Sequence, residues 1–339
     1  MVGVEERWKN HLMLNILEIR SFIFAQKVAN KVLENQVKAK AFIGVAQLVQ
    51  WHQNHGINLV KTMKIAITGG KGGTGKSTIA TALAVELANK NKVLLIDADV
   101  DCPNDHLILS IKRKKVKDIF QIIPKWDFSK CVKCGKCATI CKTNAIVFVK
   151  DKFPIFIENL CNGCSACIIS CPEKAISKSY KKVGEIYSGK NYNINLISAQ
   201  IIPNYPGSAF VVDKEKEFVK QKEKNYDSVL IDTAVGTHCN VVAAFRDVNL
   251  ALAVTESTPL GQHDLELILK LLRILKIPVK VILNKSDIGN KKLIQNIVKK
   301  YKTEIIAEIP YRKEILEAYS KGKPIRDKNI IKIIKSIKK

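Results

Sequence analysis

The sequence predicts an α/β fold, a parallel sheet covered by helices on both faces, built around a phosphate-binding loop and interrupted by a small cysteine-bound domain. Three observations predict it. A glycine-rich loop joins a strand pattern to a helix pattern within Lys64–Thr78. Apolar strand patterns and amphipathic helix patterns then alternate along the chain, as parallel pairing with helical crossovers requires. Eight of the ten cysteines crowd into Cys131–Cys171.

The loop comes first because the remaining polar residues are placed relative to it. Lys64-Ile-Ala-Ile-Thr68 reads as a short buried strand, and the residues after Gly75 read as an amphipathic helix, Gly75–Asn91. Between them stands G-x-x-x-x-G-K-[ST], with Gly70 and Gly75 as its fixed glycines, then Lys76, Ser77 and Thr78. Gly70, Gly72, Gly73 and Gly75 let the backbone curl so that successive N–H groups, Thr74 included, point inward at phosphate oxygens. The positive end of the following helix adds to that cradle. Lys76 then reaches the β- and γ-phosphates, and the Ser77 hydroxyl holds Mg²⁺. A glycine-rich turn without chemistry is the plainer alternative, but strand, loop and helix arrive in the required order. The motif implies a bound nucleoside triphosphate.

A chain of 339 residues can bury a large core and hold more than one domain. No run of eighteen apolar residues occurs, and Glu5, Glu6, Glu18 and Arg20 interrupt the apolar N-terminal stretch, against a membrane span or a secretory signal. The expectation is a cytoplasmic protein. Net charge is +25, but the lysines are dispersed along the chain rather than blocked together. Dispersed charge argues against a specific nucleic-acid partner and leaves an acidic protein partner open. Ten cysteines in such a chain point to metal rather than disulfides.

In chain order, residues 1–62 form an N-terminal extension whose Leu12, Ile16, Ile19 and Ile23 recur at helical spacing. The preferred reading is an over-extended reading frame with Met63 as the natural start; the rival is a helical arm that docks on a partner or a membrane surface. The ATPase domain is expected over 63–125 and 179–339, with the cysteine-bound insert at 126–178. Lys92-Val-Leu-Leu-Ile96 is a strand running into Asp97-Ala-Asp99. Later strands are read at Ser228–Ile231, Leu250–Val254, Val279–Leu283 and near Ile305–Ala307, with helices at Asp264–Leu275 and Lys291–Lys300. Ligands in such sheets sit at the carboxyl ends of strands. Asp232 ends one strand, where a carboxylate supports the Mg²⁺ shell. Gly236 follows, placed so that its N–H can meet the γ-phosphate. Asp99 is the candidate for orienting the attacking water, and Asp97 supports the metal site or shapes the loop. The Ile/Lys pattern of Lys328–Lys339 reads as a last helix that either packs on the sheet or touches a membrane, the former preferred.

Lys71-Gly-Gly-Thr-Gly-Lys-Ser-Thr78 resembles the deviant Walker A loop of the MinD/ParA/Mrp P-loop NTPases, relatives of the nitrogenase iron protein. The resemblance implies that Lys71 reaches across a nucleotide-sandwich homodimer to the partner's phosphates. Asp97-Ala-Asp99 resembles their second acidic motif, and Asp232-Thr-Ala-Val-Gly-Thr237 their Asp-Thr-Pro-Pro-Gly-Thr, with Ala234 and Val235 replacing the prolines. Asn284-Lys-Ser-Asp287 reads literally like a guanine-recognition motif. The resemblance instead turns Asn284 toward adenine and favours ATP.

Cys131-x-x-Cys134-x-x-Cys137-x-x-x-Cys141 and Cys161-x-x-Cys164-x-x-Cys167-x-x-x-Cys171-Pro172 repeat the bacterial ferredoxin spacing, whose fourth cysteine ligates the other cluster. One [4Fe–4S] cluster is therefore expected on Cys131, Cys134, Cys137 and Cys171. The second is expected on Cys161, Cys164, Cys167 and Cys141. Zinc sites usually pair C-x-x-C units across a finger instead. Lys130, Lys133, Lys136 and Lys142 flank the clusters and favour their reduced forms. Cys102 and Cys239 are left over. Cys239 lies seven residues past Asp232, like a cluster-bridging cysteine of the nitrogenase iron protein, but a buried, inert cysteine is the preferred reading.

The whole chain thus resembles MinD-superfamily ATPases with an inserted two-cluster ferredoxin. The implied function is ATP hydrolysis coupled to electron delivery toward a redox partner. A cluster carrier of the Mrp type that serves apo-proteins is the alternative, and a surface-positioning protein a third.

Overall fold

The computed structural model describes residues 62–337 apart from 324, so both readings of the N-terminal extension fall outside the described residues. Strand β1 (Met63–Thr68) enters the glycine loop, and α1 (Lys76–Ala88) leaves it. Next come β2 (Val93–Ala98), a one-turn α2 (Asp105–Ile108) and a long β3 (Lys114–Trp126). The cysteine-bearing segment holds α3 (Lys136–Thr139), β4 (Ile146–Val147), β5 (Ile155–Phe156) and α4 (Ala166–Ile169). The chain then returns through β6 (Ile176–Asn191), β7 (Ile194–Ile201) and α5 (Ser208–Lys220). It continues through β8 (Ser228–Thr233), α6 (Cys239–Ala244), β9 (Leu250–Thr255) and α7 (Pro259–Leu275). It closes with β10 (Val279–Asn284), α8 (Lys291–Lys300), β11 (Ile305–Ile309), α9 (Lys313–Ser320) and α10 (Lys328–Ile337).

Nine strands form one sheet in the order β11-β10-β9-β1-β8-β2-β7-β6-β3. From β11 to β7 every pairing is parallel. β2 and β9 are buried at every residue, as continuous apolar strands covered on both faces should be. One core cluster gathers Leu94, Ile96, Ile231 and the apolar face of α7; the opposite one gathers Ile65, Ile67, Leu83 and the C-terminal isoleucines.

Helix ends follow local chemistry. Helix α7 starts at Pro259, five residues before the sequence pattern suggests, because the Thr258 hydroxyl accepts the Gly261 N–H (3.0 Å) and proline suits the first helical position. Helix α1 is not amphipathic as expected. Ten of its thirteen residues are buried, because it lies between the sheet and α10. Ile330 and Ile333 of α10 sit in that same core, so the last helix covers the sheet. Among the described residues no helix is long and apolar enough to cross a membrane.

The sequence reading contained no strands corresponding to β3, β6 and β7. β6 runs antiparallel to both neighbours, and the β6–β7 turn places Tyr192 and Asn193 at φ +49° and +59°, the primed geometry that suits a tight hairpin. β3 pairs with β6 as far as Trp126 opposite Ile176. Residues 127–175 are therefore carried at the end of a two-stranded ribbon continuous with the main sheet. Within them β4 pairs with β5, Ile146 and Ile176 are buried beside Cys167, and the Trp126 and Phe156 rings lie 5.4 Å apart.

Candidate nucleotide site and cysteine cavities

The glycine loop lies at the carboxyl end of β1, between the ends of β8 and β9. Gly75 has φ +92°, and a Cβ there would fall 2.4 Å from the Asn284 amide nitrogen, so only glycine fits. Asn284 donates to the Thr74 carbonyl (2.8 Å), and Lys285 donates to the Gly73 carbonyl (3.2 Å) and pairs with Glu256 (2.6 Å). The end of β10 thereby braces the loop. Asp287 accepts the Tyr311 N–H at 2.6 Å, which commits one carboxylate oxygen to the backbone. The Gly236 N–H donates to the Gly69 carbonyl (3.2 Å), seating the end of β8 against the same loop.

Lys76 is 6% exposed, and its Nζ lies 3.4 Å from the Lys71 carbonyl. Burial lowers its pKa, against the opposing pull of Asp232 and Asp99. Lys71 is different. Its side chain is 37% exposed, with Nζ 4.0 Å from Glu256.

The parallel register sets Asp97 opposite Asp232. Asp105, absent from the sequence-derived candidates, joins them: one carboxylate oxygen from each of the three lies within 4.8 Å of the others, all buried. Asp97 accepts the N–H groups of Asp99 (3.3 Å) and Asp105 (3.0 Å) and so shapes the loop. Oδ1 of Asp232 and both oxygens of Asp105 are buried without a hydrogen-bond partner. Burial, and then repulsion from Asp232, push Asp97 up to about 8. Burial pushes Asp232 up to about 7 against the nearby Ser77 hydroxyl and Lys76, and carries Asp105 well above the carboxylate range. Orphaned, buried carboxylate oxygens beside a serine hydroxyl are the donor set a hard divalent cation takes. Asp99 is half-buried, accepts the Cys102 N–H (3.4 Å), and is raised mainly by burial while facing Lys76.

The ferredoxin-spaced cysteines divide between two small cavities. Cys131, Cys134, Cys137 and Cys171 line one, with Trp126 and Pro154. Cys141, Cys161, Cys164 and Cys167 line the other, next to Ile122 of β3. Each cavity takes three cysteines from one run and one from the other. Backbone N–H groups already point at sulfur: Gly163 to Cys161 Sγ (3.4 Å) and Ala175 to Cys171 Sγ (3.3 Å). Four cysteines around one cavity, with an N–H···S bond to one of them, are a donor set of the kind a [4Fe–4S] cluster takes. The other two cysteines, Cys102 and Cys239, are both exposed. The expected burial of Cys239 is therefore wrong: it opens α6 directly after an exposed turn, and the apolar face of that short helix belongs to Val241, Ala243 and Ala244.

Comparison with known proteins bears on this layout. The family model described as the CobQ/CobB/MinD/ParA nucleotide binding domain matches residues 65–325. The chain belongs to that family. An uncharacterized protein of Methanocaldococcus jannaschii is 36% identical over 261 residues, 77% of this chain and 90% of that protein. The Arabidopsis thaliana mitochondrial iron-sulfur protein required for NADH dehydrogenase is 43% identical over 75 residues, 21% of this chain and 24% of that protein. The fold is similar to that of the septum site-determining protein MinD complexed with Mg-ADP from Pyrococcus horikoshii, with a TM-score of 0.52 at 19% identity, covering 82% of this chain and 97% of that one. Nucleotide binding is thus the property that the family description names. Asp105 escaped the sequence reading because a lone acid on a four-residue helix has no periodic or motif signal.

Proposed function

We propose that this chain is an ATP-binding and ATP-hydrolysing switch that carries two [4Fe–4S] clusters and couples nucleotide state to electron transfer. The observation that carries the reading is the sorting of eight cysteines into two sets of four, on a ribbon continuous with the sheet that forms the nucleotide loop. Four cysteines per site, three from one run and one from the other, is the donor arrangement that thiolate ligation of two [4Fe–4S] clusters needs.

The residues divide the work as follows. N–H groups from Gly70 to Thr78 and the Lys76 ammonium bind the phosphates. Ser77 and Asp232, with Asp105 close by, would hold Mg²⁺, which would supply charge neutralisation to the phosphates. Asp99, half-buried and facing Lys76, orients the attacking water. Gly236 exchanges its Gly69 partner for the γ-phosphate, so the end of β8 reads the nucleotide. Lys71, with an exposed ammonium near Glu256, reaches the phosphates of the partner in a homodimer. Asp287 is held by Tyr311, which disfavours guanine reading at this site and supports ATP, in line with the Mg-ADP named for the MinD structure.

Anaerobic purification tests the reading. Iron and sulfide analysis should give about eight of each per chain, and ATP should be hydrolysed in a Mg²⁺-dependent way. Transfer of clusters to an apo-ferredoxin, accelerated by ATP, would instead favour the carrier role.

A further inference from the structure

The ribbon and the loop after β2 are joined by a short, partly buried relay. Segment 201–208, between β7 and α5, is pinned at both ends to the loop after β2 that holds Asp99 and Asp105. The Ile201 N–H donates to the Val100 carbonyl (3.0 Å), and the Ser208 hydroxyl donates to Asp101 Oδ1 (3.0 Å). From the middle of that segment the Tyr205 hydroxyl donates to Gln121 Oε1 (2.6 Å). Gln121, on β3 and only 2% exposed, passes its Nε2 to the Cys161 carbonyl (2.7 Å).

The amide orientation is dictated by its partners, since a backbone carbonyl only accepts and therefore demands the NH₂ end. The fit beyond it is tight. A Cβ on Gly163 would lie 2.9 Å from Gln121 Cγ and 3.0 Å from the Ile122 carbonyl, so the Cys161 loop rests directly on β3. The Tyr205 ring lies over Gly207, where a Cβ would come within 2.6 Å of it. The Gln121 amide is buried with both ends hydrogen-bonded, which ties the two segments together, because leaving either end unpaired is costly.

We infer that Tyr205 and Gln121 are positioning residues through which the loop holding Asp99 and Asp105 sets the placement of the Cys161–Cys167 loop. The cluster held by Cys141, Cys161, Cys164 and Cys167 is then the one that responds to nucleotide, and the cluster on Cys131, Cys134, Cys137 and Cys171 responds through it. This inference rests on the proposed coupling of nucleotide to clusters.

The test uses the full chain, purified anaerobically with its clusters, and two variants that touch neither cysteines nor phosphate-binding groups. Tyr205→Phe deletes the hydroxyl that holds Gln121, and Gly207→Ala displaces the ring. Hydrogen exchange at residues 161–167 is compared with and without Mg-ATP, together with the electron paramagnetic resonance spectrum of the reduced clusters. In the parent, Mg-ATP changes both readouts. In either variant the nucleotide-induced change should shrink about fivefold or more, while iron content and ATP affinity stay within about twofold of the parent. A parent that responds and variants that respond equally would overturn the relay alone. A parent that ignores nucleotide would overturn the coupling, and the relay with it.

Discussion

Replacing Lys76 by methionine separates what this residue does for the fold from what it does for the ligand. Its side chain is buried, and its ammonium makes one long contact, 3.4 Å to the Lys71 carbonyl. Burial lowers its pKa even beside Asp232 and Asp99, so the folded chain bears a net desolvation cost there. Methionine keeps the length and the apolar stem while removing the charge. Asp232, already up to about 7, answers by holding its proton more firmly. The nucleotide-free variant should therefore match the parent within about 1 kcal/mol, or exceed it. Phosphate meets the opposite outcome: losing a desolvated, charge-assisted partner costs about 3 kcal/mol, roughly 150-fold in Kd. Urea unfolding without nucleotide and calorimetric ATP titration measure the two quantities. Destabilisation by more than about 2 kcal/mol with ATP affinity retained would refute the reasoning, because Lys76 would then be a structural cation.

Three further substitutions probe separate parts of the molecule. Cys171→Ser should remove the cluster assigned to Cys131, Cys134 and Cys137 and leave the other, halving iron to about four per chain; loss of the Cys161–Cys167 cluster instead would disprove the crossed ligation. Ile333→Ala, at a fully buried position of α10, should cost about 3 kcal/mol of stability in thermal or urea unfolding, and a negligible cost would return that helix to the surface. Asp287→Ala should leave ATP affinity within about twofold and destabilise by about 1 kcal/mol through the lost Tyr311 bond, whereas a large change in nucleotide choice would restore the guanine-reading role.

The parallel half of the sheet was legible because β1, β2, β8 and β9 are runs of Val, Ile, Leu and Ala that end in Asp, Thr or the glycine loop. Such runs admit few structures besides buried central strands. β3 was not legible. Its lysines at 114, 115, 117 and 125 and two register shifts break the period-two alternation, and one edge of the strand faces no neighbour in the sheet. Missing β3 also hid Gln121, which reads as an ordinary polar residue until the ribbon presses it against Cys161. The glycine loop and the cysteine spacing could be read directly because in each the ligand-facing groups are neighbours in sequence. Asp105 could not, because its proximity to Asp97 and Asp232 is produced by the turn after β2, where the Asp105 N–H donates to Asp97. The expected amphipathicity of α1 failed for a similar reason: α10, more than two hundred residues later, covers what would have been its wet face.

The most direct test of the central claim is a potentiometric reduction titration of the anaerobic protein with and without Mg-ATP. Two cluster transitions are expected, at least one of which shifts in potential, or in its rate of reduction, when nucleotide is present. Superimposable curves from a protein shown to bind ATP and to hold eight irons would contradict the account, since the two halves would then share a chain without communicating.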